Sequence, residues 1–137
     1  MPSQFQVAIL SADEVFYEGP CVSLILPTRQ GMMGVMAHES NLVVSTVPGV
    51  LRLRTPEGKE LTASVSHGIA KIADAKTILL VETLERPEDI DAERALQAER
   101  RAKGDLKNVN QLHQEHLQAE AELARARARL KAIGRIK

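Results

Sequence analysis

Tryptophan is absent, and the three aromatic residues, Phe5, Phe16 and Tyr17, leave the 120 residues from Glu18 to Lys137 without one. Proteins that bind single-stranded nucleic acid stack bases on aromatic side chains, so this composition argues against such a partner. Net charge is missing as well. Eighteen Lys and Arg balance eighteen Asp and Glu, and the chain as a whole has no electrostatic attraction for nucleic acid or an anionic membrane. The single cysteine, Cys21, excludes an internal disulfide or a cysteine metal cluster and fits a small buried apolar residue. No apolar run approaches the ~18 residues of a membrane span, and no basic segment precedes the short apolar stretch near the start as it would in a secretory signal. A cytoplasmic protein without signal peptide or transmembrane segment is expected.

The 137 residues, 44% hydrophobic and 26% charged, are those of a soluble globular chain with room for one small domain and a helical appendage. Up to about Glu85 short apolar stretches alternate with turn residues. Phe5, Val7 and Ile9; Val22, Leu24 and Leu26; Leu51 and Leu53; and Leu61, Ala63 and Val65 each recur with the period of a half-buried strand. Ile78 to Val81 is continuously apolar, which predicts a strand covered on both sides. Turns are expected at Asp13-Glu14, Glu18 to Pro20, Pro27 to Gly31, Pro48-Gly49, Pro56 to Gly58 and Ala73 to Ala75. Nine such strands point to a β-sandwich or barrel.

Beyond Thr83 the pattern changes. From Pro87 to Lys137 the only glycines are Gly104 and Gly134, and Ala, Glu, Arg, Leu and Gln dominate. Pro87 and the acidic residues that follow it predict a helix start near Pro87. Lys103-Gly104-Asp105 reads as a left-handed stop, with a second helix beginning between Asp105 and Asn110. The chain thus divides into a sandwich, residues 1–85, and an antiparallel helical hairpin, residues 86–137. The expected stripes are thin: Ala92, Ala95, Leu96 and Ala102, then Leu112, Ala119, Leu123, Ala126, Leu130 and Ile133. At ~25 cal/mol per Å2 an alanine seam contributes only a few kcal/mol, so the hairpin is expected to be detachable. Arg125, Arg127, Arg129, Lys131, Arg135 and Lys137 place six positive charges in the last thirteen residues with no acid among them, which calls for an acidic partner.

These residues resemble the epsilon subunit family of the bacterial F-type ATP synthase over essentially the whole chain. The resemblance is carried by Val15-Phe16-Tyr17-Glu18-Gly19, by Gly31-Met32-Met33-Gly34-Val35 with His38, by Pro48-Gly49-Val50-Leu51-Arg52, and most specifically by Glu85-Arg86-Pro87-Glu88-Asp89-Ile90-Asp91-Ala92-Glu93-Arg94-Ala95, which is similar to the family's Ile-Asp-x-x-Arg-Ala junction. It implies an α+β chain: an N-terminal ten-strand β-sandwich followed by a C-terminal two-helix hairpin. It further implies a non-catalytic rotor subunit on the cytoplasmic face of the bacterial membrane, associated with the membrane only through its complex. The implied partners are the gamma subunit, the c-subunit ring that moves protons or sodium, and the catalytic alpha and beta subunits.

In the family the helices oppose ATP hydrolysis, which makes Arg125, Arg127, Arg129 and Lys131 candidates for an acidic loop on beta. Gly31, Met32, Met33 and His38 are candidates for the c-ring contact, with Met32 standing where an acidic residue is usual. No cofactor is required, but regulatory ATP is implied at Glu85, Ile90, Asp91, Arg94, Ala95, Arg101, Arg125 and Arg129; arginines from two helices can converge on phosphates. The usual Gly-Gly-Phe is His67-Gly68-Ile69 here.

Two other readings of the residues are a free-standing interaction module with a different acidic partner, and a small-molecule-binding or hydrolytic protein using Glu85, Asp91 and Arg94. His113 and His116 lack an evident third metal ligand, His38 and His67 lack a neighbouring nucleophile, and Gly31-x-x-Gly34 lacks the third glycine of a dinucleotide site.

Overall fold

A computed structural model describes residues 3–37, 41–108 and 112–137. Ten strands come first: β1 Phe5–Ser11, β2 Val15–Cys21, β3 Ser23–Thr28, β4 Gly31–Val35, β5 Leu42–Thr46, β6 Gly49–Arg54, β7 Glu60–Val65, β8 Gly68–Ala73, β9 Lys76–Val81 and β10 Leu84–Glu85. A 3-10 turn, Pro87–Asp89, leads to α1, Ala92–Leu106, and α2, His113–Ala132. The fold is the expected α+β arrangement of a ten-strand sandwich followed by two helices.

The strands hydrogen-bond in the order β10-β7-β6-β3-β5-β8-β9-β1-β2, with β4 attached to β3 alone. Every described pairing is antiparallel except β1 with β9. The curled sheet closes around an aliphatic core in which Ile9, Leu24, Leu26, Leu51, Leu79 and Ala63 are fully buried. Cys21 lies in that core, where burial pushes its thiol up and keeps it protonated and inert.

Five sequence expectations need correction. The turn expected at Glu18 to Pro20 lies inside β2, where those residues pair with Gln6 to Ala8 of β1. The apolar run Ile78 to Val81 is not covered on both sides: Leu79 and Val81 face the core, while Leu80 is 54% exposed. Gly104 does not stop a helix. It lies within α1, which runs on to Leu106 because glycine is tolerated in a helix at a cost of ~1 kcal/mol relative to alanine. The first α-helix starts at Ala92 rather than Pro87, since Asp91, in extended geometry, accepts a hydrogen bond from the Arg94 N–H and caps it. The second starts at His113; the expected window reached Asn110, which is outside the described residues.

The glycine that does stop a helix is Gly134, at φ 77° after α2. Its N–H bonds the Lys131 carbonyl and the next N–H, of Arg135, bonds the Leu130 carbonyl, the paired bonds of a Schellman motif.

The β8–β9 hairpin carries two backbone constraints, one at each end. A Cβ on Gly68 would lie 2.3 Å from the Leu80 carbonyl oxygen, so β8 and β9 meet there only without a side chain. At the other end of the same hairpin, Asp74 and Ala75 hold φ of 50° and 62°, the double positive φ of a tight two-residue turn. Alanine pays ~1–2 kcal/mol in that region, whereas glycine does not. Ala75→Gly is expected to raise stability by about 0.5–1 kcal/mol, and Gly68→Ala to lower it by at least ~2 kcal/mol, both measured by urea unfolding.

Candidate functional site

Only one of the two helices rests on the sandwich to any extent. α2 packs on β6 and β7 on one side and on α1 on another, so α1 is carried mainly by α2 and by the linker. This explains why the apolar stripe of α2 looked thin. Ala119, Ala126 and Leu130 lie on one face and Ala128 on the other, and all four are buried. The expected members Leu112 and Leu123 fare differently: Leu112 is exposed before the helix, while Leu123 is half-buried. α1 buries Ala95 and Ala102.

Ion pairs supplement these small surfaces. Arg127 of α2 donates to Glu99 of α1 at 3.1 Å, and Lys103 approaches the same carboxylate at 3.9 Å. Arg129 of α2 donates through Nε to Glu85 of β10 at 2.5 Å. The linker is anchored independently: Arg86 donates to both carboxylate oxygens of Glu14, at 3.0 and 2.9 Å, and its guanidinium lies 5.1 Å from the centroid of the Phe16 ring. The Glu14 hydrogen bond raises the pKa of Arg86 further above its already high ordinary value.

Between the linker, α1 and α2 opens a cleft of about 460 Å3. Six of the eight residues proposed for a nucleotide line it: Glu85 from β10, Asp91, Arg94, Ala95 and Arg101 from the start and face of α1, and Arg129 from α2. The spacing explains the convergence, because positions 94, 98 and 101 share one face of a helix. Ile90 and Arg125 are not among the lining residues, although both are half-buried. Asp89, Gln97 and Ala98 also line the cleft and were missed; the i+3 and i+4 relation of Gln97 and Ala98 to Arg94 was the available signal. Two carboxylates of the cleft are engaged, Asp91 in capping α1 and Glu85 with Arg129. The guanidinium groups of Arg94 and Arg101 have no ion-pair partner among the described residues. The cleft therefore offers two uncommitted, doubly donating cations, a suitable arrangement for a phosphate or carboxylate.

The other candidates are dispersed. Of the basic residues near the C-terminus, Arg127 and Arg129 are tied to this chain's own carboxylates, Lys131 is exposed and Arg125 half-buried. Gly31 and Met32 are exposed on β4, at the margin of the sheet, with Met32 at 56% exposure, while Met33 packs against the core. His38 lies outside the described residues.

Comparison with known proteins agrees with this architecture. Residues 4–87 match the family described as ATP synthase, Delta/Epsilon chain, beta-sandwich domain. Residues 88–134 match ATP synthase, Delta/Epsilon chain, long alpha-helix domain. The chain belongs to the ATP synthase delta/epsilon family. It is 38% identical to the ATP synthase epsilon chain of Ruminiclostridium cellulolyticum, over 96% of each chain. It is 35% identical to that of Nitrosococcus oceani, covering 100% of this chain and 97% of the relative. Among solved structures, a chain in the Euglena gracilis mitochondrial ATP synthase, from an OSCP/F1/c-ring reconstruction, superposes with a TM-score of 0.84 at 24% identity, covering 96% of this chain and 82% of that one. The fold is thus shared with it.

No helix among the described residues is long and apolar enough to cross a membrane. Because Arg127 and Glu99 bridge the two helices and Glu99 is only 12% exposed, Glu99→Gln is expected to weaken the hairpin by about 1 kcal/mol. Amide hydrogen exchange should then be faster along α1 than in β1, which has no part in that contact.

Proposed function

We propose that this chain is the non-catalytic central-stalk subunit of an F-type ATP synthase, docked through its sandwich and restraining ATP hydrolysis through its helices. The observation that carries the docking half is the outer face of the sheet. Val15, Leu10, Leu80 and Ile69 are successive cross-strand neighbours on β2, β1, β9 and β8, and Val15, Leu80 and Ile69 are each more than half exposed. A continuous apolar row of this kind on the outside of a closed sandwich marks a protein contact. We assign it to the gamma subunit. The exposed edge at Gly31 and Met32 is assigned to the c ring, with apolar contact replacing the acidic side chain usual in the family. In this arrangement the subunit lies at the cytoplasmic face of the membrane without entering it.

The restraining half follows from the weakness of the hairpin. Small alanine surfaces and partly exposed ion pairs, each contributing ~0.2–1 kcal/mol, hold α2 to its neighbours. If the helices swing away, Arg127 and Arg129 leave Glu99 and Glu85 and become available, with Arg125 and Lys131, to an acidic loop of the beta subunit. ATP in the cleft would oppose that movement, since Arg94 and Arg101 on α1 and Arg129 on α2 line the same cleft. Of the carboxylates lining the cleft, Glu85 is committed to Arg129 and Asp91 to the α1 cap, and the binding reading rests on the arginines.

The decisive experiment is co-purification with gamma. Leu80→Asp and Ile69→Asp should lose gamma while keeping the circular dichroism of the unaltered chain; retention of gamma by both would refute the docking assignment. A chain ending at Arg86, which keeps the Glu14 anchor, should bind gamma yet no longer inhibit hydrolysis. Isothermal titration with ATP should give binding without turnover, with Arg94→Ala and Arg101→Ala each weakening it by about tenfold or more and Lys59→Ala, remote from the cleft, leaving it unchanged. Turnover by the isolated chain would contradict the proposal.

A further inference from the structure

One side of the cleft between linker and helices is built from a segment that the sheet scarcely holds. β10 pairs with β7 at two positions only, Leu84 with Val65 and Glu85 with Ser64, and the chain then leaves the sheet. There a hollow of about 310 Å3 is bounded by Arg86, Pro87 and Glu88 of the linker, by Phe16 of β2 and by Leu61 and Thr62 of β7, so packing backs the linker only in part. The stronger restraint is the side chain of Arg86. Its Nη1 donates to both carboxylate oxygens of Glu14, at 3.0 and 2.9 Å, and the guanidinium lies over the Phe16 ring. Glu14 belongs to a closed turn, since its carbonyl accepts from the Ser11 N–H at 2.9 Å. From Arg86 the restraint passes along the backbone. The Asp89 N–H bonds the Arg86 carbonyl at 2.9 Å, the Ile90 N–H bonds the Pro87 carbonyl at 3.2 Å, and Asp91 then caps α1. Glu85, Asp89 and Asp91 all line the cleft, whereas Glu14, Phe16 and Arg86 do not.

We infer that Arg86 is a positioning residue for the ligand of the cleft: clamped to Glu14 and Phe16, it holds the Glu85–Asp91 segment in the place that a ligand shared with α1 and α2 requires. The inference rests on the nucleotide reading of the cleft and deepens it, because it names a control of affinity that lies outside the cleft. A ligand that needs the linker in one arrangement binds with an apparent affinity reduced by the fraction of chains not in that arrangement. Ordering the linker beforehand removes that cost. The sign of the effect separates positioning from charge. Deleting the Glu14 carboxylate removes a negative charge and by Coulomb attraction alone would strengthen binding of a polyanion. Loss of positioning weakens it.

The test is isothermal titration of the full chain with ATP, together with amide hydrogen exchange in its absence. Glu14→Ala should raise the dissociation constant about fivefold, the change expected if the binding-competent fraction falls to about one-fifth. Glu14→Asp, which keeps the carboxylate, should raise it less. Without ATP, Glu14→Ala should speed exchange of the amides of residues 89–94 and leave those of β8 and β9 unchanged. Unchanged or tighter ATP binding by Glu14→Ala would overturn the inference. Weaker binding accompanied by faster exchange throughout the sandwich would overturn it too, since that marks general destabilisation. If the unaltered chain bound no ATP, the nucleotide reading of the cleft would fall and this inference with it; binding that is indifferent to Glu14 confines the failure to the clamp.

Discussion

α2 is the mechanical centre of the molecule. It lies against β6 and β7 and also against α1, so the loosely packed first helix is coupled to the sandwich chiefly through it. The surfaces available for this double contact are small. Ala119, Ala126 and Ala128 are buried together with a single larger side chain, Leu130. Alanine lets helices and strands approach closely but removes little apolar area from water, so the position of α2 depends on a few kcal/mol. The core of the sandwich, by contrast, buries leucine, isoleucine and valine from seven of its ten strands. Two units of unequal packing therefore share one chain, and burial alone would let the weaker open at lower cost than the stronger.

The linker divides the two behaviours at a defined point. Arg86 is fixed to the β1–β2 turn by its two bonds to Glu14 and by its position over Phe16. Four residues later Ile90 and Asp91 are extended, between the 3-10 turn and the first residue of α1. Rotation about these two residues would move the helices without disturbing the Arg86 anchor, placing the hinge after the clamp rather than at the last strand.

Sequence periodicity revealed the strands with one apolar face, as in β6, where Leu51 and Leu53 are buried and Arg52 and Arg54 exposed. It failed at two places. Ile78 to Val81 is apolar on both faces although the isolated chain covers one, since composition cannot distinguish a strand covered by its own fold from one awaiting a partner. Gly104 misled for a different reason: glycine permits a left-handed stop without requiring it, and the deciding geometry appears instead at Gly134. The convergence of Glu85, Arg94, Arg101 and Arg129 could not be obtained from spacing alone, because 44 residues separate the paired Glu85 and Arg129. It was accessible only through family resemblance, which in turn included Ile90 and Arg125 though neither lines the cleft.

The same charges serve opposite ends in the two arrangements considered. While α2 is docked, Arg127 and Arg129 spend their donors on Glu99 and Glu85, and the C-terminal segment presents less of its positive charge to other proteins. Undocking sacrifices those bonds and the alanine contacts, but each ion pair is partly exposed, so the penalty is modest and an acidic partner can offset it. A ligand bound in the cleft would act on the other side of the balance, because residues of β10, α1 and α2 all line it. It would stabilise the docked arrangement by RT ln(1 + [L]/Kd), about 2.7 kcal/mol at a hundredfold excess over Kd. That is comparable to what the alanine seam and ion pairs supply, so a ligand of that affinity would be enough to shift the balance, whereas an attachment built from leucine and isoleucine would need a much larger one.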